Sequence, residues 1–139
     1  MNKLNQAGFE LEWVTLQNQY DSYEKHALLI KLFSMALCTV MLFHTKLDFL
    51  FVLLLLLAWL LEGIWKTFQS RIANRILKVE YAIAQKVDDT PMQFHSDWAA
   101  SRGSLVALAS EYIKSCLTPT VFVPHSIIVS AGLIVAFII

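Results

Sequence analysis

Glycine and proline are scarce in this chain of 139 residues, four and three respectively, and cysteine occurs only twice. So few turn-forming residues argue against a loop-rich β-sandwich. Two cysteines cannot build a disulfide scaffold. Charge is also thin, with 16% of residues Asp, Glu, Lys or Arg, where an average soluble domain has about 25%. The eleven basic and eleven acidic residues cancel, which leaves no basic field for nucleic acid. No glycine-rich phosphate loop, G-x-S-x-G elbow or H-E-x-x-H pair occurs, so nothing points to an enzyme or a cofactor. What is abundant is apolar: 57% of the chain. That content excludes disorder and, in a chain long enough for one domain, predicts an all-α integral membrane protein.

A membrane span needs about 20 mostly apolar residues to cross a hydrocarbon core of about 30 Å. Three stretches qualify. Ala27 to Phe43 carries only Lys31, Phe49 to Trp65 carries only Glu62, and Leu117 to Ile139 carries nothing beyond His125. Pro119 and Pro124 are expected to delay the last helix, which puts the third span at 120–139. Lys46 and Asp48 can reach interfacial water and so lengthen the first two spans. The rival reading is a compact soluble domain with buried core helices, but three such stretches leave too little polar surface to cover them. A secretory signal is disfavoured, because the first apolar run begins only after a polar segment bearing Glu10, Glu12, Asp21 and Glu24.

Orientation follows from the basic residues in the flanking segments. Lys66, Arg71, Arg75, Lys78, Lys86, Arg102 and Lys114 lie between the second and third spans, against Lys46 alone between the first two. The expectation is a cell-membrane protein with a cytoplasmic N-terminus, the 44–48 turn outside and the C-terminus outside. Cys38 then lies at lipid depth and Cys116 near the cytoplasmic surface, so no disulfide is expected.

The cytoplasmic part reads as helical. Residues 1–26 carry Phe9, Trp13, Leu16, Tyr20 and Tyr23 at steps of four and three, a heptad seam that runs into Ala27 without a Gly or Pro. One helix from about Asn5 to Phe43 is predicted. The segment 66–88 continues the second span in the same way, with Phe68, Ile72, Ile76, Val79 and Ile83 on one face and Arg71, Arg75 and Lys78 on another. Asp88-Asp89-Thr90-Pro91 should end it. Ser96 is the expected N-cap of a further cytoplasmic helix over 97–117. These seams must bury one another or meet a partner, as in a tall bundle.

The short 44–48 turn makes the first two spans antiparallel neighbours. Counted from its centre, Lys31 and Glu62 come within about 3 Å in height at 1.5 Å per residue. A charge at membrane depth costs about 2.5–3.5 kcal/mol, so the two should pair near the cytoplasmic side. They are also the candidates for an ion or pore site. Arg71, Arg75 and Lys78 are candidates for an anionic lipid or ligand, against the commoner reading of a solvated basic face. Trp13, Trp59 and Trp65 read as interfacial anchors or seam packing. The four histidines are scattered without metal-ligand spacing, so no metal site is expected; His125 could hydrogen-bond between helices.

Trp65, Phe68, Arg71, Arg75 and Glu80, in the segment Trp65 to Glu80, resemble the post-span helix of SLATT-type membrane domains, a resemblance that covers residues 10–88. It implies two spans joined to long cytoplasmic helices, and a pore-forming effector of bacterial defence and nucleotide signalling at the inner membrane. The third span departs from that two-span plan, and no functional residue is carried over. The expected function is a non-enzymatic membrane module that assembles with itself or with a partner protein through the Phe9 to Tyr23 seam. The alternative is an oligomeric channel or membrane-disrupting effector using Lys31 and Glu62. Membrane lipids are expected partners of either.

Overall fold

A computed structural model describes residues 3–43, 49–85 and 90–138. They form five helices in the order α1 (Lys3–Phe43), α2 (Phe49–Gln85), α3 (Phe94–Ser101), α4 (Leu105–Cys116) and α5 (Pro119–Ile138), with no strand among the described residues. The expected turn at 44–48 and the expected end of the second helix at 86–89 lie outside them. At 41 residues α1 is about 60 Å long, and α2 at 37 residues is about 55 Å. Neither contains proline, so nothing stops the ladder of backbone hydrogen bonds.

The seam on α1 finds its cover inside the chain. Phe9 and Leu16 are buried against Ile72, Ile76, Val79 and Ala82 of α2, with Trp13, Tyr20 and Tyr23 packed around them. A second apolar cluster joins Met41 of α1 to Val52 and Leu55 of α2 and Val129 of α5. There α5 comes close because Gly132 has no side chain; a Cβ on it would stand 3.0 Å from Leu55.

The predicted helix over 97–117 is instead two. It breaks at Arg102-Gly103-Ser104, and Ser104, in extended backbone at ψ 167°, caps α4 by accepting the Ala107 amide at 3.3 Å. Gln93, not Ser96, precedes the first turn of α3. Pro119 does not delay α5 but opens it, since the first helical position needs no amide hydrogen. The axes of α4 and α5 meet at 71°. Among the described residues one helix, Leu50–Gln85, is long and apolar enough to cross a membrane, or two if the bent pair α4 and α5 counts as a single span.

The molecule therefore has two ends. At the apolar end Leu29, Phe33, Leu57, Leu61 and Ile127 face outward, while Ser34, Glu62 and His125 are fully buried between α1, α2 and α5. At the other, here called the head, the outward positions are mainly polar and the seam lies inside.

Candidate functional site

Three helices each contribute one polar residue to the buried cluster at the apolar end. Lys31 of α1 places Nζ 2.5 Å from Glu62 Oε1, and His125 of α5 places Nε2 2.8 Å from Glu62 Oε2. Glu62 and His125 are both 0% exposed, whereas Lys31 keeps 22% of its side chain accessible. Oε1 nonetheless receives no directed hydrogen bond. The contact with Lys31 is therefore an ion pair held by charge. A carboxylate only accepts, so His125 Nε2 carries the hydrogen toward Glu62. Its Nδ1 is buried without a partner.

Trp59 closes the cluster on one side. Its ring stacks on His125 at 6.1 Å with only 9° between planes, meets Phe122 edge-on, and donates Nε1 to the Cys116 carbonyl at 3.1 Å. One turn along α2, Gly63 admits α4; a Cβ there would lie 2.1 Å from Cys116 Sγ. Trp65 meets Tyr23 and His26 in tilted ring contacts, and its Nε1 is buried without a partner. Glu62 thus faces a lysine on one oxygen and an imidazole on the other, an arrangement that ties three helices together.

The head contains a second buried cluster. Arg75 donates Nε and Nη2 to the two oxygens of Glu12 at 2.8 and 3.1 Å, and Nη1 to Asp97 at 2.9 Å. Arg75 and Glu12 are each 4% exposed. The hydrogen bonds to Glu12 hold the guanidinium above its usual pKa despite burial. Glu12 also accepts the Met92 amide at 2.7 Å, an anchor for a residue in the left-handed region at φ 63°. Lys78 bonds Asp97 at 3.1 Å, and that hydrogen bond is the main reason the Asp97 carboxyl titrates below its usual range, helped by the charge of Arg75. Arg71 pairs with Glu111 at 3.0 Å and lies over the rings of Phe68 and Trp98. Each of Arg71, Arg75 and Lys78 thus already faces a carboxylate, which an anionic ligand would have to displace.

Beside this cluster a cavity of about 610 Å³ opens between α1, α2 and α3, with Gln19, Ser22, Arg71, His95 and Trp98 in its wall. Lower on the head, Gln69 and Lys66 both donate to Glu24, and these hydrogen bonds, Gln69 first, hold its carboxyl below the ordinary value.

The structure brings together Lys31 and Glu62, and places Phe9, Trp13, Leu16, Tyr20 and Tyr23 along the α1–α2 contact. Sequence reasoning missed Glu12 and Asp97 as partners of Arg75. A signal existed for Glu12, since it sits one residue before Trp13 of the seam. His125, read as able to hydrogen-bond between helices, does so, and its partner is Glu62. No group of three metal-ligating side chains converges among the described residues. No protein-family model, curated protein or solved structure matches the chain.

Proposed function

We propose that this chain is a non-enzymatic integral membrane module, with spans over 27–43, 49–65 and 120–139 and a cytoplasmic head that assembles with a second copy or a partner protein. One observation carries the reading. The apolar end is inverted relative to a water-soluble domain, with leucines and phenylalanines outward and Lys31, Glu62 and His125 inward. In water each exposed Å² of that belt would cost about 25 cal/mol; in hydrocarbon the cost disappears, and charges are admitted only where they pair. In keeping with this, only 33% of the most apolar stretch of α2 is covered by the rest of the chain. The basic residues flanking the spans favour a head on the cytoplasmic side of a cell membrane.

Assembly need not rest on the Phe9 to Tyr23 seam, which packs against α2 within the chain. It draws support instead from apolar residues on the outside of the head, Leu4, Leu11 and Val14 of α1 and Leu77 and Tyr81 of α2. The test is size in mild detergent, with crosslinking in native membranes. Leu11→Asp with Leu77→Asp should shift the full chain to a smaller species or abolish its crosslinks. A native chain that is monomeric and uncrosslinked overturns the reading.

A second reading, an ion- or proton-conducting effector, rests on the buried cluster and on the SLATT-type resemblance. Its weakness is that Lys31, Glu62 and His125 face one another inside one chain rather than a shared axis. Reconstituted vesicles should leak in proportion to protein density, and Glu62→Gln should change the leak; vesicles that stay tight at every density dismiss it.

A further inference from the structure

The short helix α4 carries a surface that neither the seam nor the buried clusters use. Leu105 and Val106 are each 79% exposed, Ile113 60% and Leu117 58%. Its contacts with α2 fix which way this surface points. Along α2, Arg71 bonds Glu111, Thr67 donates to Ser115 at 2.7 Å, Gly63 receives Cys116, and Trp59 donates to the Cys116 carbonyl. Read from the head toward the spans, α4 thus meets α2 with Glu111 first, then Ser115, then Cys116. At about 100° per residue, these three follow one another around α4. The positions that come next, past Cys116 on the span side, are Ala109, Ile113, Val106 and Leu117. Those past Glu111 on the head side are Lys114, Ala107 and Ser110.

The exposed apolar face is therefore turned toward the spans. It ends at Leu117, beside the outward Phe122 and Val123 of α5, so it is continuous with the apolar belt. If α5 stands along the membrane normal, the 71° bend leaves α4 close to the membrane plane. Exposed Lys114 lies on the adjoining head side of α4, from where its long side chain can reach lipid phosphates.

We infer that α4 is an interfacial helix whose Val106, Ile113 and Leu117 face rests in the headgroup boundary, with a lipid surface as its partner. The Arg71–Glu111 pair and the Thr67–Ser115 hydrogen bond hold it at that height. This rests on the membrane reading above, and the following test separates the two. In the full chain with Cys38→Ala and Cys116→Ala, single cysteines replace Ile113, Ala107 or Leu57 and receive a nitroxide label. The protein is reconstituted in vesicles of phosphatidylcholine with phosphatidylglycerol, and relaxation by oxygen is compared with relaxation by a water-soluble nickel chelate. Leu57 should lie in hydrocarbon, Ile113 about 5–10 Å beneath the headgroup level, and Ala107, about 100° around α4 from the centre of that face, in water. Leu57 in lipid with Ile113 in water, or with Ile113 shielded from both reagents, overturns the interfacial helix and leaves the membrane reading standing. Ala107 in lipid along with Ile113 also overturns it, because α4 would then be part of a broken span. All three sites in water overturn both readings together.

Discussion

The molecule buries two charge clusters, and they are built differently. In the head, Arg75 donates from all three of its nitrogens to Glu12 and Asp97, and Glu12 also takes a backbone amide. At the apolar end, Lys31 meets Glu62 without a directed hydrogen bond, and His125 Nδ1 has no partner. A water-facing bundle can bury a charge only when geometry replaces nearly all its lost hydration, because the open, hydrated state is always within reach. Under the proposed membrane reading the unpaired alternative is itself without water, so a less complete pairing still holds. The head cluster is saturated; the lower one is merely sufficient.

Breaking the lower cluster should have the largest effect. Glu62→Leu strands a cation and an imidazole, at a cost of about 3–5 kcal/mol, seen as loss of folded protein in mild detergent. The triple change Lys31→Met, Glu62→Leu and His125→Leu should recover most of the thermal stability, since no charge is left unpaired. A single variant as stable as the native chain would contradict the role given to charge here. Next comes Arg75→Met, costing about 3 kcal/mol but confined to the head. Amide exchange should accelerate in α3 and in the first half of α1, with the apolar end still protected. Uniform acceleration would mean that the two ends do not unfold separately.

Smaller effects sharpen the boundary between the ends. Gly63→Val drives a side chain into Cys116 and should cost about 1–3 kcal/mol. Adding Cys116→Ala, which removes the atom 2.1 Å from a Cβ at residue 63, should restore part of it; no recovery would place the strain elsewhere. The smallest effect is on pH. Asp97 and Glu24 titrate below their ordinary range in the folded chain. Their stabilisation is therefore complete above the unfolded carboxylate pKa and fades as pH falls through the depressed folded values. Both carboxylates are partly exposed, so screening keeps the change small. Melting temperatures should hold from neutral pH down to the usual carboxylate range and then decline. Lys78→Gln should move the Asp97 titration upward in a carbon-detected NMR experiment.

How far the chain could be read in advance follows from the reach of each signal. The long helices were legible because uninterrupted periodic patterns need only local sequence. The meeting of Lys31 with Glu62 was legible because a short link turns residue counting into height. The break at Gly103 was weaker: glycine and serine in mid-helix signal a stop only when the chain has reason to turn, and that reason is the packing of α4 against Gly63. Glu12 and Asp97 lie far from Arg75 in sequence and on different helices, so no periodicity links them. The seam between Phe9 and Tyr23 was correctly a packing surface, but periodicity cannot say whether its cover comes from the same chain.

Neither of the two long helices has a proline, and each runs without interruption from head to belt. With no hinge, each behaves as a stiff lever. A sideways push at the tip near Phe9 or Ala82 has to reappear as tilt at the far end. The fulcrum is the level of Gly63, where α2 is clamped by both α4 and α5. Displacement of the tip by a docking partner would accordingly register first at Trp59 and His125, a turn or so from that pivot.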